Sequence, residues 1–134
     1  MRMNTLDRRG FLTVTGLAGA GLAGAGLSGC TIEDATGDAG TPLYEESLAI
    51  ERIAAAAEAA RAAGFPFLIT ARAHNLLFGS PNLDATIRRL QAFEAAGADV
   101  LFAPGMPDLA AVRAVCSSLS RPFNFMAGIK GKSF

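Results

Sequence analysis

Between residues 30 and 126, short apolar runs alternate with longer stretches whose apolar positions recur every three to four residues. The runs are CTIED (30–34), FLITARA (67–73), DVLFA (99–103) and PFNFM (122–126). Runs of this length and density read as strands buried on both faces. The stretches between them read as amphipathic helices. Glu45 to Ala63 places Leu48, Ile50, Ile53, Ala54 and Ala57 on one side and Glu51, Arg52, Glu58 and Arg61 on the other. Asp84 to Ala96 turns Ile87, Leu90, Phe93 and Ala96 inward and Arg88, Arg89 and Gln91 outward. A third helix starts at Asp108 and carries Leu109, Val112, Cys116 and Leu119 on one face, which makes Cys116 an expected core residue. Gly64 and Gly97 follow the first two helices directly, where a left-handed residue ends the spiral.

Strand and helix alternate in units of about thirty residues, the grammar of a parallel sheet with right-handed crossovers. Doubly wound sheets and (β/α)8 barrels both satisfy it. Polar residues recur at the carboxyl end of the strands: Glu33 and Asp34, then Arg72 and His74, then Asn124. Barrel enzymes carry their chemistry at that end.

The first thirty residues differ in character. Residues 10–29, GFLTVTGLAGAGLAGAGLSG, are uncharged, but Gly and Ala dominate them and make them a poor membrane span and a poor helix. Arg8-Arg9-Gly10-Phe11-Leu12 resembles a twin-arginine export pattern, and Leu27-Ser28-Gly29-Cys30 resembles a lipoprotein cleavage box. The same stretch, followed by Cys-Thr-Ile-Glu-Asp, also reads as a Gly-ended helix leading into a strand. The chain therefore divides into an atypical Gly/Ala-rich segment, 1–25, and a β/α domain, 26–134. Two localisations stay open: cytoplasmic, or exported by the twin-arginine route and lipid-anchored at Cys30, the one case in which a membrane is a partner.

The chain has 134 residues, enough for one domain with a core. Twelve basic and twelve acidic residues cancel, and no clustered excess of Lys or Arg supports a nucleic-acid surface. Two cysteines, Cys30 and Cys116, do not make a disulfide framework and are expected as thiols. Gly131-Lys132-Ser133 is not a phosphate-binding loop, because position 126 is Met where that motif needs its first glycine. Arg88-Arg89 reads as a solvated helix face.

Four quoted stretches carry a family likeness: IEDATGD, LAIERIAAAAEAARAAGFPFLITARA, LDATIRRLQAFEAAGADVLFAPGMPDL and RPFNFMAGIKGKSF. Together they resemble the isocitrate lyase and phosphoenolpyruvate mutase superfamily, most closely its shorter bacterial members, over roughly residues 26–134. The resemblance implies an α/β fold, a partial (β/α)8 TIM barrel of about four β/α units corresponding to strands four to seven. A whole barrel takes about 250 residues. In the same terms, strands one to three and strand eight are not in this sequence. Nor are the Asp-rich strand that holds the metal directly and the loop with the catalytic cysteine or its equivalent. The chain alone is thus expected to lack turnover, its intact form being a homo-oligomeric, Mg²⁺-dependent lyase or mutase. That form would act at a C–C or P–C bond of a small oxo-acid or enolate, a pyruvate-like carboxylic acid.

The resemblance also implies site residues. Glu33 falls where the family has an acid near the magnesium, acting through water in the outer shell; capping of a loop is its plain structural reading, and the expected role of Asp34. Arg72 falls where the family binds the substrate carboxylate, a bidentate task for a guanidinium; a rim salt bridge is the plainer alternative. Asn75 keeps the family residue and is expected to hydrogen-bond loop or ligand, and Asn124 is expected to point into the site. His74 departs from the family pattern, which has Glu there, and changes the electrostatics of that rim. Pro104-Gly105 stands where lyase members carry Glu, which argues against a strict isocitrate or methylisocitrate lyase. Two readings compete with the enzyme: an exported lipoprotein-like α/β binding domain, and a non-functional gene remnant with open sheet edges.

Overall fold

The structure is a computed structural model and describes residues 26–78 and 82–126. The elements follow in the order β1 (Gly29–Glu33), α1 (Glu46–Ala62), β2 (Leu68–Arg72), α2 (Leu83–Ala95), β3 (Val100–Phe102), α3 (Leu109–Ser118) and β4 (Phe123–Asn124). The four strands form one sheet in the order β1-β2-β3-β4, every neighbouring pair parallel. Sequential order with parallel pairing means that each helix is a crossover between adjacent strands. α1 packs on β1 and β2 and against α2, and α2 packs on β2 and β3 and against α3, so the helices cover one face of the sheet. This is four strands' worth of a (β/α)8 barrel wall.

The helices end as the sequence leads one to expect. Asn82 and Asp108 cap α2 and α3 with side-chain oxygens that accept from the amides of Ala85 and Ala111. Gly64 and Gly97 take φ of +76° and +106° just beyond α1 and α2, a conformation that costs a side-chain-bearing residue strain. Gly29 admits close strand pairing: a Cβ there would stand 2.7 Å from the Leu68 carbonyl oxygen.

The core joins Ile53, Leu90, Phe93, Leu101 and Val115 to alanines of the sheet, Ala71, Ala73 and Ala103. Small residues in the strands let the helices sit close, and the large side chains come from the helices. Two expectations about helix faces are corrected. In α1 the buried residues are Ala49, Ile53, Ala55, Ala56 and Ala57, while Leu48, Ile50 and Ala54 are only half-buried. In α3 Ala111 and Val115 are buried and Cys116 is exposed. Positions 111 and 115 are one turn apart and point at α2. Position 116, one residue on, is rotated about 100° away from that line.

β1 begins at Gly29, so Cys30 lies inside a paired strand, opposite Ile69. A cut between Gly29 and Cys30 would fall within β1. The Arg8-Arg9 pair and the Gly131–Ser133 stretch lie outside the described residues. No helix among the described residues is long and apolar enough to cross a membrane.

Candidate active site

A single register row crosses the sheet at the carboxyl ends of the strands. Glu33 pairs with Arg72, Arg72 with Phe102, and Phe102 with Asn124. Residues in one row of a parallel sheet point to the same face. Three of the four residues named from sequence as ligand or metal contacts, Glu33, Arg72 and Asn124, therefore share that row. The fourth, Asn75, lies beyond the end of β2 and is held differently.

Arg72 sits at the centre. Its guanidinium carbon lies 4.9 Å from the centroid of the buried Phe102 ring, which backs it. Its Nη1 is 3.8 Å from Glu33 Oε2, a long pair with the Glu33 side chain 49% exposed, so it adds little to stability. Its Nη2 is 3.3 Å from His74 Nε2. Because a guanidinium only donates, that contact requires His74 Nε2 to accept, and places the ring proton on Nδ1. Nδ1 stands 3.3 Å from Asp34 Oδ1 without the alignment of a hydrogen bond. The same Nε2 is 3.5 Å from Glu33 Oε2, a contact that turns attractive only when the ring is protonated.

His74 is buried and oriented by its backbone as well as its ring. Its amide donates to Asp34 Oδ1 at 2.9 Å. Its ring stacks on Phe78, centroids 6.2 Å apart. Asp34, expected as a loop cap, does take the His74 amide of the turn after β2, and it is also fully buried and ion-paired. Its Oδ2 accepts from Arg89 Nε at 2.6 Å. Arg89 Nη2 donates to the Tyr44 carbonyl, and Arg52 Nη1 donates to the Glu33 carbonyl. Arg89 is thus no part of a solvated face: its side chain is 12% exposed, whereas neighbouring Arg88 is exposed. The signal was present in the sequence, since Arg89 stands three after the buried Thr86 and one turn before Phe93, on the edge of the inward stripe.

Asn75 faces the first turn of α2. Its amide nitrogen donates to Thr86 Oγ1 at 2.7 Å, while that hydroxyl donates to the Asn82 carbonyl. This fixes the orientation of the carboxamide and leaves Oδ1 buried. Asn75 Oδ1, His74 Nδ1 and Arg72 Nε are buried atoms without a hydrogen-bond partner among the described residues. Three such atoms lie within four residues at the mouth of β2. Pro104 and Gly105 end β3 with φ of +87° at Gly105, where a Cβ would meet Leu77 Cδ2 at 2.9 Å. That loop packs against the turn after β2 and offers no carboxylate to the mouth.

The acids present fit only one kind of metal contact. No group of three or more His, Cys, Asp or Glu able to hold a metal occurs among the described residues. Asp34 is committed to Arg89, and Glu33 is half-exposed beside the mouth. A single carboxylate of that kind suits water-mediated contact with Mg²⁺, not direct enclosure of it.

The comparisons with known proteins agree with this fold. The family model described as phosphoenolpyruvate phosphomutase matches residues 16–133, starting within the Gly/Ala-rich segment. A provisionally assigned lyase/mutase of Burkholderia cenocepacia J2315 is 44% identical over 88% of this chain and 44% of its own, with a TM-score of 0.77. A provisionally assigned phosphonomutase of the same organism is 32% identical over 92% of this chain and 50% of its own, also at 0.77. A phosphonopyruvate hydrolase solved with oxalate and Mg²⁺ is 25% identical over 87% of this chain and 40% of its own, at 0.65. None of the curated proteins compared with the chain matches it. The chain spans half or less of the length of these solved relatives. Four parallel strands joined by three helices and a family match over most of the sequence lead to one conclusion: the chain belongs to the phosphoenolpyruvate phosphomutase family, within the phosphoenolpyruvate mutase/isocitrate lyase superfamily.

Proposed function

We propose that this chain supplies the carboxylate-binding part of a Mg²⁺-dependent lyase or mutase site acting on a small oxo-acid or its enolate. The observation that carries the reading is the Glu33–Arg72–Phe102–Asn124 row, with Arg72 at its centre and one buried guanidinium nitrogen without a partner. A related hydrolase was solved with oxalate and Mg²⁺, the pairing of small dianion and cation that this row would serve.

The division of labour follows from the contacts. Arg72 presents a permanently charged fork to a carboxylate. Phe102 holds that fork from behind, and His74, as hydrogen-bond acceptor, fixes its Nη2 edge. Asn124, two strands away in the same row, would hydrogen-bond a second ligand oxygen. Asn75 Oδ1 offers an acceptor to a ligand hydroxyl or water. Glu33 would contact Mg²⁺ through water, and the ion when bound would stabilise negative charge on an enolate oxygen.

The test is binding of oxalate and of pyruvate to the full chain by calorimetry, with and without Mg²⁺. Millimolar or tighter binding that Arg72→Gln abolishes and Glu33→Gln makes less Mg²⁺-dependent supports the reading. Binding indifferent to Arg72 removes it.

A further inference from the structure

At the opposite end of the sheet from the Arg72 row, where β2 and β3 begin, lies a hollow of about 360 Å³. Its walls include Ala57, Ala60 and Arg61 of α1, Phe65 and Phe67 of the α1–β2 connection, and Asp99 just ahead of β3. A volume near the low end for ligand sites suits one small molecule. The hollow carries one cationic and one anionic side chain. Among the described residues, Arg61 and Asp99 pair neither with each other nor with any other charged group.

Both charges are held in place by the fold. The Asp99 amide donates to the Ile69 carbonyl, and the Ile69 amide donates to Asp99 Oδ2, each at 2.9 Å. These two bonds pin the carboxylate to β2 and leave Oδ1 without a donor among the described residues. Arg61 lies against Gly97. A Cβ at that glycine would stand 2.5 Å from Arg61 Nη2 and 3.0 Å from the Ala57 Cβ, so the missing side chain is what lets the guanidinium rest there. Phe65 and Phe67, both half-buried, form an edge-to-face pair with centroids 5.9 Å apart. α1 ends at Ala62, in the wall of the hollow, and the carbonyl end of a helix carries about half a negative charge.

The complement of these walls is a small molecule with both charges and an apolar part. We propose that the hollow binds a free α-amino acid with an apolar side chain. Its carboxylate sits on Arg61, its ammonium on Asp99 and the carbonyl end of α1, and its side chain against Phe65 and Phe67. A guanidinium takes a carboxylate through paired hydrogen bonds, and an ammonium donates charge-assisted bonds to a carboxylate. A plain carboxylic acid would set its apolar body beside Asp99, and a plain amine would leave Arg61 unanswered; each covers a charge without pairing it. The hollow shares no residue with the Arg72 row, so the proposal stands apart from the oxo-acid reading of that row.

The test is calorimetric titration of L-phenylalanine, 3-phenylpropionate and phenethylamine into the full chain. The three share a phenyl ring and differ in the charges they carry. L-phenylalanine is expected to bind about tenfold or more tightly than either single-charge analogue. Its advantage over phenethylamine is expected to vanish in Arg61→Gln, and its advantage over 3-phenylpropionate in Asp99→Asn. Arg61 is exposed, and the asparagine oxygen still accepts from the Ile69 amide, so both variants keep the fold; circular dichroism checks this. Arg72→Gln is expected to leave L-phenylalanine binding unchanged. An analogue that binds as tightly as L-phenylalanine, or no binding of any of the three, overturns the proposal. So do preferences that survive both substitutions, and so does loss of L-phenylalanine binding in Arg72→Gln, which would place the ligand in the mouth instead.

Discussion

Asp34 and Arg89 stand 55 residues apart in the chain and meet in a 2.6 Å ion pair whose carboxylate is fully buried. The pair ties the end of β1 to α2. Through Asp34 Oδ1 and the His74 amide it also ties both to the turn after β2. Arg89 adds the Tyr44 carbonyl and a 3.8 Å contact to Glu46 at the start of α1. One ion pair thus joins four segments around the mouth of the site.

Removing one partner of such a pair leaves the other charge buried and uncompensated, which costs about 3–5 kcal/mol. Arg89→Leu is expected to lower stability by about that amount in urea denaturation. Asp34→Asn is expected to cost less, because an amide oxygen still accepts from the His74 backbone. Equal, small effects of the two changes would show that the pair is not a structural anchor.

Arg72 makes a different demand. If it grips a carboxylate with two parallel hydrogen bonds, Lys is no substitute, since an ammonium cannot offer the planar fork or stack on Phe102. Arg72→Lys is expected to weaken oxalate binding by about tenfold or more while leaving the urea midpoint nearly unchanged. The 3.8 Å contact to the half-exposed Glu33 is too weak to make Arg72 a stability residue. Unaltered affinity in Arg72→Lys would mean that charge alone, not the fork, is what the site uses.

Glu94 supplies a pH dependence remote from the site. Partial burial acts to raise its pKa, but the Ser120 hydroxyl, the Ser120 and Arg121 amides and the Arg121 charge outweigh that and hold it below the ordinary 4.5. A carboxyl whose folded pKa is lowered stabilises the fold above its unfolded pKa and loses that contribution as pH falls through the folded value. The stability difference between the native chain and Glu94→Gln is therefore expected to be constant near neutrality and to shrink below about pH 4.5. Urea midpoints measured from pH 7 to pH 3 check this; a difference that grows with acid contradicts it.

The two thiols are expected to differ in reactivity. Cys116 is exposed on α3, whereas burial pushes the Cys30 thiol up from its ordinary value within β1. Thiolate is the reactive form, so maleimide should label Cys116 first and Cys30 only slowly, read by peptide mass spectrometry. Rapid labelling of Cys30 would mean that β1 opens readily at its amino end.

The order of elements and the parallel architecture were legible in the sequence, because they depend on local periodicity and on glycine at helix ends. The expected strands at 30–34, 67–73, 99–103 and 122–126 appear, the first shifted to Gly29–Glu33 and the other three shortened to the residues that pair. The polar strand ends were legible for the same reason: in a β/α unit the strand leads directly into the mouth, and Glu33, Arg72 and Asn124 needed only counting to be placed there. Sequence by itself therefore determined the β/α grammar and which polar residues stand at the carboxyl ends of the strands. Only the tertiary structure decided their partners. Arg88 and Arg89 are indistinguishable by type and adjacent in sequence, yet one is in water and the other locks Asp34. Cys116, expected in the core, is exposed and Val115 is buried instead; a helix turns about 100° per residue, so one step of phase, set by packing against α2, separates core from solvent.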